Sequence, residues 1–282
     1  MKRAFYLVAI LFISINATAQ NTQMQSIDSK EHLFEHALEL LALDEYDAAH
    51  VIFSKYISLY PSDLQAIDVN YYLAFCKLRM NNPQGEIQIK NFVAQFPAHP
   101  KAVFANYDLG TYYFNTKNFP KAIEHLKLVN LTLLDEDSRL ECNFKLGYAY
   151  MNTKDFDKAG SVFQRLKSTK NKYTYASSYY LGYVNYKNEL YDLAEQNLKK
   201  AAENASYKSL VPQLMVNVYN NQKKYDTLIA YSYRTLSSVE NIKNVEEVYL
   251  YTAEAYFQKK DFENAVVFFQ KLLQNGAKVN DG

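Results

Sequence analysis

The amino-acid sequence predicts an all-α protein built from about seven helix–turn–helix repeats. Two observations support this fold class. The 282 residues include only 7 Gly and 6 Pro but 26 Tyr and 17 Phe, and few helix breakers with many large apolar side chains favour packed helices. An aromatic residue, replaced once by proline, also recurs every 34 to 37 residues, which is the period of a helix–turn–helix repeat.

The N-terminus has the features of a secretory signal peptide. Lys2 and Arg3 are followed by a short apolar stretch and by an A-x-A cleavage sequence that ends at Ala19. The apolar stretch is about 12 residues long, too short for a stable membrane anchor. We therefore expect residues 1–19 to be removed and the protein to be exported, to the periplasm or the outer membrane. Residues 20–29 are polar and are expected to form a disordered lead-in.

Seven segments of the sequence align with one another. Five match well, and the second and sixth match more weakly. The position after the polar loop of each segment is held by Tyr46, Pro83, Phe119, Phe156, Tyr191, Tyr225 and Phe262. The predicted repeats are residues 30–63, 66–100, 103–136, 140–173, 175–208, 209–242 and 246–276, and residues 277–282 form a tail.

Small residues recur at one position in each helix of the repeat. In the first helix, helix A, they are Ala37, Ala74, Gly110, Gly147, Gly182 and Ala253; in the second, helix B, they are Ala49, Ala122, Ala159, Ala194 and Ala265. Large apolar residues three and four positions away complete one apolar face on each helix. In the loop, an Asp or Asn such as Asp155 is placed to cap helix B. Glu86 in the second repeat, and Val216 with Leu228 in the sixth, break the pattern, so we expect looser packing there.

This pattern resembles the tetratricopeptide repeat family, as the segments Leu146 to Tyr150 and Phe156 to Ala159 illustrate. The resemblance covers residues 30–276. It implies a right-handed α-solenoid whose A helices line a concave groove, and a protein that binds other proteins. With its signal peptide and its Asn-, Lys-, Ile- and Tyr-rich composition, the chain is similar to exported bacterial members of the Bacteroidota type.

No sequence motif identifies an enzyme: the nucleophile-elbow, Walker and dinucleotide-binding patterns do not occur. His32, Glu35 and His36 match the H-x-x-E-H zinc motif, but the repeat register turns His36 toward the core. We therefore expect no metal and no cofactor. A formal net charge of +1 without a basic run argues against nucleic-acid partners. Cys76 and Cys142, two repeats apart, are expected to be buried and unpaired.

The groove implied by the resemblance provides the candidate binding residues. In the family, the residues three before the small residue of helix A, and one and four after it, face the concave surface. Carried onto this sequence, with the polar residues next to them, these positions include Tyr71, Phe75, Tyr107, Phe114, Asn115, Phe144, Tyr148, Asn152, Tyr179, Tyr183 and Tyr186. Tyrosines suit binding hot spots because they combine rigid apolar area with a hydroxyl. The alternative is that a tightly wound solenoid buries part of this wall.

The leading hypothesis is therefore a non-enzymatic scaffold of the bacterial cell envelope that binds protein segments along an aromatic groove. One alternative is a glycan-binding surface protein, because tyrosines can stack on sugar rings. Another is that the array is the N-terminal interaction half of a larger enzyme or sensor. The last helix, expected from Asn264 to Leu273, leaves Val266 and Leu273 facing the place of an eighth repeat, so we expect the protein to continue beyond this array.

Overall fold

The computed structural model describes the backbone of residues 29–280 and the side chains of residues 29–276. The expected signal peptide, nearly all of the lead-in and the last two residues lie outside the described residues. Within residues 29–280 the chain forms fifteen α-helices and one short 3-10 helix, with no strand. The all-α prediction is confirmed.

The chain divides into two compact units, one ending at Asn118 and the other beginning at Phe119. Unit 1 contains the helices α1 (Lys30–Ala42), α2 (Tyr46–Leu59), α3 (Ala66–Arg79), α4 (Pro83–Gln95) and α5 (Pro100–Asn115). Helix α1 packs on α2, and α3 packs on α4. Helix α2 also packs on α3, and α5 packs on both α3 and α4.

Unit 2 contains α6 (Phe119–Leu126), the 3-10 helix (Leu131–Leu133), α7 (Glu136–Asn152), α8 (Phe156–Lys167), α9 (Thr174–Lys187), α10 (Tyr191–Ala201), the four-residue α11 (Ala205–Lys208), α12 (Val211–Asn221), α13 (Tyr225–Ser238), α14 (Val245–Gln258) and α15 (Phe262–Asn280). The pairs α7/α8, α9/α10, α12/α13 and α14/α15 are helical hairpins. The A helices α7, α9, α12 and α14 also contact one another in succession. Along residues 30–280, seven A helices (α1, α3, α5, α7, α9, α12 and α14) each precede a B helix.

The turn from helix A to helix B has the same conformation in every repeat. The residue two positions before helix B has a left-handed backbone, with φ between 57° and 63°, at Asp44, Asn81, Lys117, Lys154, Glu189, Lys223 and Lys260. The next amide bonds to the carbonyl five residues back, as when Asp155 N–H donates to Tyr150 O at 2.9 Å. This is the Schellman way of ending a helix, and it usually places glycine at the left-handed residue. None of the seven is glycine, which costs about 1 kcal/mol at each turn.

The residue after the left-handed position begins the cap of helix B. The carboxylate of Asp155 accepts a hydrogen bond from Lys158 N at 3.3 Å, which confirms the predicted cap. Asn82 caps α4 in the same way. At these two turns, one residue ends helix A through its amide and starts helix B through its side chain, which keeps the loop short. Glu45, Leu190 and Lys224 hold the same position without a side-chain cap.

The small residues mark the points where helices A and B approach most closely. A Cβ atom placed on Gly147 would lie 3.0 Å from a methyl carbon of Val162, and one on Gly182 would lie 2.8 Å from the Leu198 side chain. Ala159 and Ala194 on the facing helices are completely buried. The space between the helices therefore has no room for a larger residue at these positions.

The second and sixth repeats pack closely in spite of their altered sequences, in contrast to the looser packing expected. In the second repeat Gly85, one residue before Glu86, is the small residue, and its Cβ would lie 2.3 Å from the backbone nitrogen of Leu78. In the sixth repeat Val216 and Leu228 are both fully buried, so larger side chains fill the space between α12 and α13.

The last helix is longer than expected. It runs from Phe262 to Asn280 and so includes residues 277–280 of the predicted tail. The segment contains no proline, and Asn275 donates a hydrogen bond to Glu246 Oε1 at 2.8 Å, which holds the helix against α14. Val266 and Leu273 are exposed on it. Within the described part of the chain, no helix is long and apolar enough to cross a membrane.

We predict that Gly85→Ala destabilises the protein by about 3 kcal/mol or more, because the added methyl would collide with backbone atoms of Leu78 that cannot rotate away. Gly160→Ala is the matched control: it is also a glycine inside a B helix, but its Cβ would lie 3.4 Å from Val184 in ordinary contact. This substitution should leave the protein unchanged or stabilise it by up to about 1 kcal/mol. Urea unfolding of both variants would show equal midpoints if the close approach at Gly85 were unimportant.

Candidate partner-binding surface

The predicted site residue Tyr71 belongs to the core of unit 1. Its side chain is 3% exposed, its ring packs against Phe92 at 5.0 Å, and its hydroxyl donates to a carboxylate oxygen of Asp108. Burial, with the nearby Asp108 carboxylate, raises the pKa of Tyr71 above its ordinary value. Tyr71 points between α3 and α4 and is not available to a partner. The prediction that Tyr71 contacts a partner is therefore wrong.

The other candidates in unit 1 are less deeply buried. Phe75 is half-buried and packs against Tyr46 at 6.0 Å, and the Arg79 guanidinium lies 4.9 Å from the centre of the Tyr46 ring. Tyr107 and Phe114 are half-buried on α5, and Asn115 is exposed at its end. The structure leaves part of each of these side chains accessible.

Several of the predicted aromatics form joints between consecutive repeats. The first residue of a B helix contacts the residue that follows the small residue of the next A helix. This pairing joins Tyr46 to Phe75 at 6.0 Å, Phe119 to Tyr148 at 6.0 Å and Phe156 to Tyr183 at 6.4 Å. Edge-to-face and tilted ring pairs at such distances are stabilising. Phe75, Tyr148 and Tyr183 therefore hold neighbouring repeats together, in agreement with the alternative that the wall is partly buried.

An aromatic cluster surrounds Phe144 and Tyr148 in unit 2. Phe144 stacks on Tyr173 at 4.6 Å, and Tyr148 meets Tyr180 edge to face at 5.2 Å. Tyr180 also stacks on the buried Phe163 at 5.6 Å, and its burial raises its pKa. The sequence pattern missed Tyr173 and Tyr180 because neither occupies a concave position of the repeat.

The tyrosines of α9 form the next part of the surface. Tyr179 lies 5.4 Å from Tyr207, and Tyr186 lies 6.2 Å from Tyr191. The ammonium group of the exposed Lys187 lies 5.4 Å from the ring of Tyr183 and 5.5 Å from that of Tyr186. It makes no ion pair with a described residue. A cation held against two half-buried rings presents both charge and apolar area to a partner.

In the sixth and seventh repeats a polar network replaces the aromatic joints. Gln213 donates to Glu247 Oε1 at 2.8 Å, and Asn217 donates to Glu247 Oε2 at 2.9 Å. Asn244 in turn donates to Gln213 Oε1 at 2.7 Å. One carboxylate on α14 thus holds two side chains of α12. The search for aromatic residues missed Glu247, whose role depends on a contact between separate helices.

Every A helix of unit 2 ends on an exposed side chain that can donate hydrogen bonds. These residues, Asn152, Lys187, Asn221 and Gln258, occupy the same position of four consecutive A helices, and we call them the donor row. Asn152 and Asn221 each use one amide N–H to bond to the carbonyl four residues back, at 2.9 Å. Asn221 also lies 3.5 Å from the Tyr186 hydroxyl, which links the ends of α9 and α12.

The donor row ends at a pocket between α12 and α14. The pocket is lined by Asn220, Asn221, Lys223, Tyr225, Glu254, Phe257, Gln258 and Phe269, and we call it the terminal pocket. Phe257 is 53% exposed and packs against Phe262 at 5.4 Å. Five of the eight lining residues are polar or charged and three are aromatic, so the pocket combines hydrogen-bonding groups with apolar ring surface.

The described residues do not assemble a metal centre. The His32 and His36 rings lie 6.0 Å apart on α1, and no group of three or more metal-binding side chains is found between residues 29 and 276. Cys76 and Cys142 are free and buried, and burial raises the pKa of their thiols to about 12 and about 11. These thiols are poor nucleophiles at neutral pH, because a nucleophilic cysteine needs a lowered pKa.

Comparison with sequence models of protein families identifies the repeat. A sequence model described as tetratricopeptide repeat matches residues 141–169 and 247–275, which fall on the hairpins α7/α8 and α14/α15. The chain therefore contains tetratricopeptide repeats. Repeats of this kind indicate a role in protein–protein interaction. Comparison with curated proteins finds no match to the sequence.

Solved structures of the same type support this assignment. The apo form of RapI is similar with a TM-score of 0.66 at 14% sequence identity, over 86% of this chain and 75% of RapI. MamA from Desulfovibrio magneticus RS-1 is similar with a TM-score of 0.54 at 16% identity, over 62% of this chain and 96% of that one. These similarities confirm the fold class, an α-solenoid of helix–turn–helix repeats.

We predict that the aromatic residues of the surface separate into structural and accessible ones. Tyr148→Ala should destabilise the protein by about 2–3 kcal/mol, because it removes ring contacts with Phe119 and Tyr180. Phe257→Ala should cost less than about 1 kcal/mol, since half of that ring is exposed. Chemical unfolding monitored by circular dichroism measures both, and equal losses would contradict the separation.

Proposed function

We propose that this protein is a non-enzymatic scaffold that binds segments of partner proteins along the A helices of unit 2. The contact surface is the donor row, the half-buried rings next to it, and the terminal pocket. The repeat family supports protein binding in general. The geometry of unit 2 supports these A helices as the place where a partner binds.

The observation that carries the proposal is the repetition along the ends of the four A helices. Each donor follows a residue that is at least partly exposed: Met151 before Asn152, Tyr186 before Lys187, Asn220 before Asn221 and Phe257 before Gln258. Three of the four pairs combine a large apolar side chain with a donor. A peptide backbone needs donors for its carbonyls, and its side chains need apolar contact.

Two details match the donor row to an extended segment. The four A helices contact one another in order, and packed helices are about 10 Å apart, so successive donors can be reached by a chain that advances about three residues per helix. Lys187 and Gln258 make no side-chain hydrogen bond within the described residues. Their N–H groups can therefore bond to a partner without first breaking a hydrogen bond to another described residue.

Exposed groups near the terminal pocket distinguish this end of the surface. Phe257 is the most exposed large apolar side chain at the A-helix ends of unit 2, while Lys223 and Glu254 place opposite charges at the pocket rim. An apolar side chain of the partner fits the pocket. A neighbouring acidic residue of the partner could pair with Lys223, and a neighbouring basic residue could pair with Glu254. We propose that this pocket anchors the segment and that the donor row fixes its direction.

The experiment is site-specific photocrosslinking in cells that produce the protein. A benzophenone amino acid replaces Phe257 or Lys187 in the proposed surface. Leu193, which is 47% exposed on the B helix α10, serves as the matched control. We expect discrete protein adducts from the first two positions and none from the third. The double variant Phe257→Ala/Lys187→Ala should reduce capture of the same partner by tenfold or more.

Two results would overturn this proposal. Equal adducts at Leu193 would show that contact is not confined to the A helices. Unchanged capture by the double variant, with an intact circular dichroism spectrum, would show that these side chains do not carry binding. Saturable binding of neutral oligosaccharides that is lost on Tyr186→Ala would favour the glycan-binding alternative.

The proposed site of action is the cell envelope, on the basis of the signal-peptide pattern of residues 1–19. We predict that the protein from an expressing Gram-negative host begins at Gln20 and is released from the periplasm. Ala19→Arg should prevent this cleavage because signal peptidase requires a small residue there. Intact-mass spectrometry measures both forms, and an unprocessed wild-type protein in the cytoplasm would contradict the prediction.

A further inference from the structure

A concave surface on unit 1 is lined by helices α2, α3 and α4. Its polar wall is formed by His50 of α2, by Asn70 and Lys77 of α3, and by Gln88, Asn91 and Gln95 of α4, and we call it the amide pocket. These helices belong to the first two repeats. None of its residues belongs to the surface proposed above for partner proteins.

The side-chain amides of this pocket are available to a ligand: Asn70, Asn91 and Gln95 are exposed, and Gln88 is half-buried. The side chains of Asn70, Gln88, Asn91 and Gln95 make no hydrogen bond with a described residue. Buried amides such as Asn217 and Asn197 are instead held by internal hydrogen bonds, to Glu247 and to the backbone of the same helix respectively. Four amides in one concavity provide eight N–H donors and four carbonyl acceptors that are free to face a ligand.

The charge of the pocket is positive and small. Lys77 is half-buried and makes no ion pair with a described residue, and no Asp or Glu lines the pocket. Burial lowers the pKa of His50, and the charge of Lys77 lowers it further, while Asp47 partly opposes these effects. The lowered pKa favours the neutral form of His50, so the full charge of the pocket comes from Lys77.

The base of the pocket is apolar. Phe92 is 5% exposed, and its ring lies 5.2 Å from that of Phe96, which is half-buried. Leu73 of α3 lies beside them. A ligand in the pocket would meet carbon on one side and hydrogen-bonding groups on the others, which is the arrangement of a small-molecule site.

We propose that the amide pocket binds a sugar acid, a small molecule with one carboxylate and several neighbouring hydroxyl groups. Lys77 pairs with the carboxylate. The amides of Asn70, Gln88, Asn91 and Gln95 each offer both a donor and an acceptor, which matches adjacent hydroxyls. The C–H face of the sugar rests on Leu73 and Phe96. A phosphate dianion is a poorer match because the pocket has one cation and no arginine.

The test uses the processed full chain with galacturonate as the probe. Galactose has the same ring without the carboxylate, and acetate has the carboxylate without the hydroxyls. By isothermal titration calorimetry we expect galacturonate to bind with a Kd of about 1 mM or below, and the two partial probes to bind at least tenfold more weakly. The side-chain amide signals of Asn91 and Gln95 should shift in nitrogen–proton spectra on addition of galacturonate.

Variants identify the groups responsible. Lys77→Met should weaken galacturonate binding by tenfold or more, because a charge-assisted hydrogen bond is lost. Asn91→Ala should weaken galacturonate binding severalfold. It should not affect folding, because Asn91 is exposed and its side chain makes no hydrogen bond with a described residue. Lys170→Met, at an exposed lysine of unit 2, is the matched control and should leave binding unchanged.

Three outcomes would overturn the proposal. They are the absence of saturable binding up to about 20 mM galacturonate, equal binding of galactose or acetate, and equal affinity in Asn91→Ala and the wild type. Asn91→Ala decides the question if Lys77→Met does not fold. Capture of partner proteins by unit 2 is measured independently, so failure of either proposal leaves the other intact.

Discussion

The close approach of helix A to helix B in repeats such as α9/α10 is the constraint on which the remaining structure depends. It needs a small residue at the crossing point, such as Gly182 beside Ala194, and a turn short enough to bring the helices together. The turn is closed by a left-handed residue, and at Asn82 and Asp155 the next residue also caps helix B through its side chain. Because lysine, glutamate, aspartate or asparagine occupies that residue, packing of the hairpin must offset the backbone cost at every turn.

The close helix pair fixes which aromatic side chains remain available. Once A and B are held together, the first ring of helix B is directed at the next A helix, and pairs such as Phe156 with Tyr183 join the repeats. This arrangement uses much of the aromatic wall for stability. What it leaves accessible are the ends of the A helices, where Lys187 and Phe257 are exposed. The candidate surface is therefore a consequence of how the repeats are joined.

The amide side chains show how one residue type serves two roles. In the last two repeats Gln213 and Asn217 are held by Glu247 and substitute for an aromatic joint. In the second repeat Gln88 and Asn91 have no internal partner and line a concavity beside a lysine. The difference lies in the surroundings: Glu247 lies beside Gln213 and Asn217, whereas no Asp or Glu lines the concavity around Gln88 and Asn91. Composition alone gives no distinction between the two.

The sequence by itself determined the features that depend on local spacing and volume. These are the helices, the period of the repeat, the small residues at most crossings and the cap at Asp155, since each is set by residues within one helix or one turn. The tertiary structure decided which side chains face solvent. Tyr71 is buried by Phe92 and Asp108, the joint residues are half-covered by the preceding repeat, and Gly85 replaces the expected small residue. The physical reason is that exposure on a packed helix depends on neighbours about 35 residues away, whose positions follow from the packing of whole helices.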